Sequence, residues 1–163
     1  MLRRLAEFKI ALICCCFLAL AACSKKNQPN LEGDTASAVP GSEKDFAINV
    51  GDRIYFIVDT STLTPEAQET LRRQAAWLRR YPNVTVQVEG HADERGTREY
   101  NISLSARRAT ATREFLIAQG VQGNRISSIA YGKERPVALC DAEQCYSQNR
   151  RAVTVITGGA VSG

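Results

Sequence analysis

What this chain of 163 residues lacks narrows its chemistry before any motif is considered. It has one histidine, His91, and no cysteine near it, a poor ligand set for zinc, which takes four grouped side chains. There is no Gly-x-Ser-x-Gly, and His91, Asp93 and Glu94 are adjacent in sequence and not spaced to converge as an acid and base pair. An enzyme acting by hydrolysis would have little to work with. Lysine and arginine are not gathered into a stripe with interleaved aromatics, so nucleic acid is set aside as a partner. Of the formal charge of +4, two units belong to the first 22 residues, through Arg3, Arg4 and Lys9 against Glu7, which leaves the rest close to balance. The apolar run from Ile10 to Ala22 falls short of the roughly 20 residues a spanning helix needs. With 44% apolar and 23% charged residues, the expectation is one modest globular domain with appendages.

What is present begins with the N-terminus. Three cations, then a short uncharged apolar run, form a secretory signal. It stops at Leu20-Ala21-Ala22-Cys23, small residues set against a cysteine, which matches the lipobox of bacterial lipoproteins. The match implies cleavage after residue 22 and a diacylglycerol thioether on Cys23. Two or three acyl chains, at about 0.8 kcal/mol per buried CH₂, would anchor the protein to a membrane without spanning it. Residue 24 is Ser rather than the Asp that marks inner-membrane retention, which favours the outer membrane. Cys14, Cys15 and Cys16 lie in the discarded run. Cys140 and Cys145 then remain, an even number in an oxidising compartment, and a disulfide is expected to close a short loop and stiffen its own segment.

Residues 23 to 51 hold hardly any large apolar side chain and read as a lipidated terminus with a flexible tether of typical reach near ~25–30 Å. The domain is expected over 52–163. Ile54-Tyr55-Phe56-Ile57-Val58 is an almost wholly apolar run that predicts a central strand, ended by Asp59. Thr64-Pro65-Glu66 supplies a capping hydroxyl and a first-turn proline, and Ala67, Leu71, Ala75 and Leu78 follow on one helical face to about Tyr81. Trp77 and Tyr81 read as core and rim. Val84, Val86 and Val88 alternate with polar residues as a half-buried strand. After a Gly90 to Gly96 loop, Leu104, Arg108, Ala111, Phe115 and Ala118 mark a longer helix closed by Gly120. A strand near Ile126 to Tyr131, a loop over 132–148 and a last strand from Ala152 to Ile156 complete the α/β order βαβαββ. A parallel crossover would bring Asp59 and the Gly90 to Gly96 loop to one edge of the sheet, where ligands of such sheets bind.

Four motifs now stand in order: Gly90-His91-Ala92-Asp93-Glu94-Arg95-Gly96-Thr97; Tyr100-Asn101-Ile102-Ser103-Leu104-Ser105 with Arg107-Arg108-Ala109; Tyr131-Gly132-Lys133-Glu134-Arg135-Pro136; and Asn149-Arg150-Arg151-Ala152-Val153. Over Arg53 to Ile156 the chain resembles the OmpA-like C-terminal domains and, with lipobox and tether in front, the peptidoglycan-associated lipoproteins. The resemblance implies two helices packed on one face of a mixed four-stranded sheet, no cofactor, and a role in holding the wall rather than in catalysis. It implies as ligand the meso-diaminopimelate of wall peptides, whose free end carries an ammonium and a carboxylate. Asp93 would take the ammonium and Arg108 the carboxylate, with Asp59, Asn101, Leu104 and the backbone from Ala92 to Arg95 lining the pocket. It further implies the partner TolB, in exclusion of the wall, within a Tol-Pal system that can include TolA and acts in cell division.

From the residues alone, Leu104 and Arg108 share a helical face, and a guanidinium fork matches a carboxylate. Two plainer readings stand beside this: Asp93 with Arg95 as a loop-closing ion pair, and Arg107 with Arg108 as a solvated stripe. Asn149-Arg150-Arg151 could face ligand or satisfy loop carbonyls, and the structural role is favoured. Family members commonly carry an aromatic or acid where this chain has Ile57 and Val58, so those two remove a possible acid and a possible aromatic wall.

Overall fold

The computed structural model describes residues 38–162; the expected signal segment and the lipidation site Cys23 lie outside them. The domain opens earlier than its composition suggests. Ser42 caps a short turn, α1 (Glu43–Asp45), its hydroxyl accepting from Asp45 N at 3.1 Å, and the chain widens into a π-helical segment, Phe46–Val50. Phe46 is 1% exposed, its ring centred 4.9 Å from that of Trp77, and Trp77 Nε1 donates to Asp45 Oδ2 at 2.8 Å. The tether expected to reach Gly51 thus gives its last residues to the domain. One large apolar side chain is enough to anchor a stretch whose average composition is polar.

Four strands follow: β1 (Arg53–Tyr55), β2 (Thr85–Gly90), β3 (Ile126–Ala130) and β4 (Arg151–Gly158), in the spatial order β1-β4-β2-β3. β4 runs antiparallel to both β1 and β2, and β2 runs parallel to β3, so the sheet is mixed. The expectation of a central first strand is overturned: β1 is short and lies at the edge. After Phe56 N bonds Arg150 O at 2.9 Å, the chain leaves the sheet through a turn with Asp59 at φ 57°. Ile54 and Phe56 point inward while Tyr55, Ile57 and Val58 are exposed. An apolar run was therefore no sign of burial on two faces.

The two long helices are α2 (Pro65–Arg80) and α3 (Arg98–Ala118). Thr64 Oγ1 accepts from Ala67 N and Thr97 Oγ1 from Tyr100 N, each satisfying a donor that a helix start leaves open. Gly120, at φ 90°, ends α3: Val121 N bonds Leu116 O while Gly120 N bonds Ile117 O, the double bond pattern of a left-handed helix stop. Ala67, Leu71, Ala75 and Leu78 of α2 face the core as expected. On α3 the buried line is rotated: Leu104, Ser105, Arg108, Ala109, Thr112 and Leu116 are inside, whereas Ala111 and Phe115 are only half-buried and Ala118 is exposed. Both helices cover one face of the sheet, against Ile54, Val86, Val88, Ile126 and Ala152. The loop expected over 132–148 contains a further short helix, α4 (Glu143–Asn149).

One close approach sets the site. A Cβ at Gly90 would come within 2.0 Å of Ser105 O, so the end of β2 lies directly on the α3 backbone. Ala92 N then bonds Gly132 O at 2.8 Å, and Gly132 N bonds Ser105 Oγ at 2.9 Å, which fastens the loop after β2 to the loop after β3.

Candidate functional site

At the edge where β1 and β2 end and β4 begins, a cavity of about 270 Å³ opens. Six of the seven residues expected there line it: Asp59, Asp93, Arg95, Asn101, Leu104 and Arg108. Ala92 does not, being buried and tied to the loop after β3 through its amide. Val58 also lines it, as do Tyr100 and Arg150, the last of which the sequence reading had favoured as structural.

Asp93 is 6% exposed and accepts four N–H donors. Arg95 supplies its own amide and Nε at 3.2 Å each, with Nη2 at 2.5 Å, and Arg150 Nη1 approaches at 3.2 Å. Burial alone would raise this carboxyl; the hydrogen bonds from the two arginines outweigh it and hold Asp93 below the usual carboxylate range. The loop-closing ion pair is therefore real, and it sits inside the cavity rather than instead of it. Arg95 is the exposed partner, with its side chain 44% accessible; Arg150 is buried and held further, its Nε donating to Phe56 O at 3.1 Å and its Nη2 to Glu143.

Arg108 is fully buried, which rules out a solvated stripe for this residue. Its Nε donates to Thr60 O at 2.8 Å, Nη1 to His91 O at 2.9 Å and Nη2 to Ile57 O at 3.2 Å. The guanidinium lies over the Phe56 ring, 5.0 Å from its centre. Burial lowers its pKa to about 10, with Asp93 and Asp59 acting in the opposite sense, so it stays charged at neutral pH. A guanidinium has five N–H groups; two remain after these three bonds, and Arg108 lines the cavity. The segment that follows β1 thus contributes through the main-chain carbonyls of Ile57 and Thr60 and through Asp59, while the Ile57 side chain points to the exterior.

The rim is polar and braced. Tyr100 Oη donates to Asp59 Oδ1, Asn101 Nδ2 donates to Arg95 O at 2.8 Å, and Lys133 Nζ donates to Glu94 O and Gly96 O at 3.0 and 2.8 Å. Asn149 and Arg151 have the structural task expected of them: Asn149 Oδ1 accepts from Val137 N and Ala138 N, and Arg151 Nη2 donates to Arg135 O. Arg150 departs from them: it leads directly into β4, which lies between β1 and β2, and its side chain lines the cavity. Cys140 and Cys145 are joined, with Cα atoms 5.7 Å apart. The cavity sets an acid and a buried arginine side by side, suited to a small ligand end that carries both charges.

Residues 55–150 match the OmpA family, a stretch that spans the first three motifs and the first two residues of the fourth. The chain belongs to the OmpA family. Among curated relatives, the peptidoglycan-associated lipoprotein of Agrobacterium fabrum is 59% identical over 150 residues, covering 88% of this chain and 85% of its own. That of Brucella melitensis is 55% identical over 162 residues, covering 96% of each. The chain therefore falls within the peptidoglycan-associated lipoproteins of this family. Among solved structures, the peptidoglycan-associated lipoprotein from Burkholderia pseudomallei superposes with a TM-score of 0.63 at 37% identity, over 65% of this chain and 90% of that one. The C-terminal domain of Helicobacter pylori MotB shares the fold, with a TM-score of 0.62 at 24% identity, over 66% of this chain and 84% of that one.

Proposed function

We propose that this protein is an outer-membrane lipoprotein, anchored through acylated Cys23, whose periplasmic domain binds peptidoglycan without a covalent bond. It ties the outer membrane to the wall. Its work is holding, not catalysis.

The observation that carries this reading is the pairing of Asp93 with buried Arg108 at one cavity in a chain of this family. The free end of meso-diaminopimelate presents an ammonium and a carboxylate on one carbon. The two uncommitted N–H groups of Arg108 would take the carboxylate, a charge-assisted contact strengthened by exclusion of water. Asp93 would take the ammonium as exposed Arg95 swings aside. Asp59, Asn101 and Leu104 would frame the ligand, and the contacts are few enough for the grip to be reversible.

The same surface would dock TolB within a Tol-Pal system that also involves TolA. Wall and TolB would then exclude one another, and the exchange would let the outer membrane follow the wall inward at cell division. Exposed apolar side chains that line the cavity, Val58 and Tyr100, with exposed Ile57 and Ile102 close by in sequence, favour a protein partner as well as a wall.

The test is sedimentation of the chain from Ser24 to Gly163 with purified peptidoglycan, for wild type, Asp93→Ala and Arg108→Ala, each checked for folding. Wild type pelleting with the wall while both variants stay in solution supports the clamp. Equal behaviour of all three overturns it and leaves TolB docking as the leading role.

A further inference from the structure

The helix that the disulfide closes reaches the pocket from outside. α4 has seven residues, well under the roughly 12–15 at which an isolated helix begins to hold in water, and Ala142 at its start offers no side-chain acceptor. It is held by its ties. Cys145 is bonded to Cys140, and Asn149 accepts from Val137 N at 2.8 Å and Ala138 N at 3.1 Å while donating to Ala138 O at 2.8 Å. Glu143 lies inside the loop that the disulfide closes. From there Glu143 Oε1 accepts from Arg150 Nη2, and its Oε2 lies 3.8 Å from Arg95 Nη2. The Arg95 guanidinium also lies over the Tyr146 ring of the same helix, 4.4 Å from its centre.

Arg95 and Arg150 are the two residues that fill Asp93. Four N–H donors on one carboxylate occupy about all its acceptor sites, so an incoming ammonium must displace one of them. A second carboxylate drawing both guanidiniums outward makes that exchange easier. It also offsets one positive charge at a place that must receive another.

We propose that Glu143 is a positioning residue of the pocket, a competing acceptor for Arg95 and Arg150 that eases their release from Asp93 when a ligand arrives, and that the Cys140–Cys145 disulfide keeps Glu143 within reach. The proposal rests on the reading of Asp93 as the ammonium acceptor. No redox partner is required of the cell; reduction serves as the experimental lever. Dithiothreitol gives two electrons and two protons to the Cys140–Cys145 bond, leaving two thiols and itself becoming a cyclic disulfide.

The experiment titrates the full-length protein, in detergent micelles, with a soluble stem-peptide fragment ending in free meso-diaminopimelate. Wild type and Glu143→Gln are each measured with and without dithiothreitol, beside Glu143→Asp and the Cys140→Ser/Cys145→Ser variant, with circular dichroism confirming the folded signal in every state. Glu143 has a side chain 64% accessible, so its replacement leaves the core untouched. Reduction and Glu143→Gln should each raise Kd about fivefold, the two together no further, and Glu143→Asp should recover part of the loss. The double serine variant should match the reduced protein. Unchanged Kd in both, or effects that multiply, overturns the inference while the wall reading stands. Absence of binding by wild type overturns the wall reading itself.

Discussion

Arg150 Nη1 stands 3.2 Å from Asp93 Oδ2, across 57 residues of sequence, and both side chains are almost wholly buried. Arg150 also serves Phe56 O and Glu143, so one guanidinium joins the exits of β1 and β2 to α4.

Arg150→Ala should therefore cost about 3 kcal/mol in urea unfolding, since it strips partners from a buried carboxylate and a buried carbonyl. Arg150→Lys should recover little, because a single ammonium cannot address three directions at once. A lysine variant as stable as wild type would show that the fork geometry is not needed.

Arg108→Ala should cost a similar ~3 kcal/mol, leaving the carbonyls of Ile57, Thr60 and His91 without their donor. Loss of wall binding in this variant is thus informative only at temperatures where it is folded, and Asp93→Asn, close in shape, is the cleaner functional probe. Urea midpoints for the two variants check the ranking: Arg108→Ala below Asp93→Asn.

His91 should make stability fall as pH drops from 7 toward 5. The ring is 1% exposed, stacked on Tyr131, and neither nitrogen makes a hydrogen bond; Nε2 lies 3.5 Å from Glu89 Oε2. Burial first, then the charges of Arg151 and Arg135, push its pKa from 6.5 to about 4. Below pH 6.5 the unfolded chain binds a proton that the folded protein refuses until about pH 4. Stability is therefore undiminished above 6.5 and declines through that window, by up to about 3 kcal/mol. Carboxylates held low, such as Asp93, act only at more acid pH, where their unfolded pKa begins to matter. Urea midpoints at pH 7, 6 and 5 should decline for wild type and stay level for His91→Gln; a level wild-type series would sink the assignment.

Phe46→Ala should cost about 3–4 kcal/mol, as for a fully buried aromatic, although it lies in a stretch that looks like tether. A chain starting at Asp52 should lose at least as much, because Trp77 Nε1 then also loses its Asp45 acceptor. Thermal melts of the two against wild type decide it: unchanged melting would return these residues to the tether.

The local elements were legible in the sequence because their determinants are local. Thr64 and Pro65 start α2 through bonds within one turn, Gly120 stops α3 by its positive φ, and the 3.6-residue period of Ala67, Leu71, Ala75 and Leu78 selects a face directly. The motif around Asp93 and the helix bearing Arg108 could likewise be read as an acid and a base offered to one ligand. Where Arg150 goes could not, because it follows from β4 entering between β1 and β2, and strand order is set by pairing between segments up to a hundred residues apart. The same nonlocal packing buries Phe46 on Trp77 and leaves Ile57 at the surface just beyond an edge strand. The sequence by itself determined the two long helices, their caps and most of the charged residues of the site; only the tertiary structure decided which chain segments surround those charges, since burial and counter-charge depend on neighbours that sequence distance does not reveal.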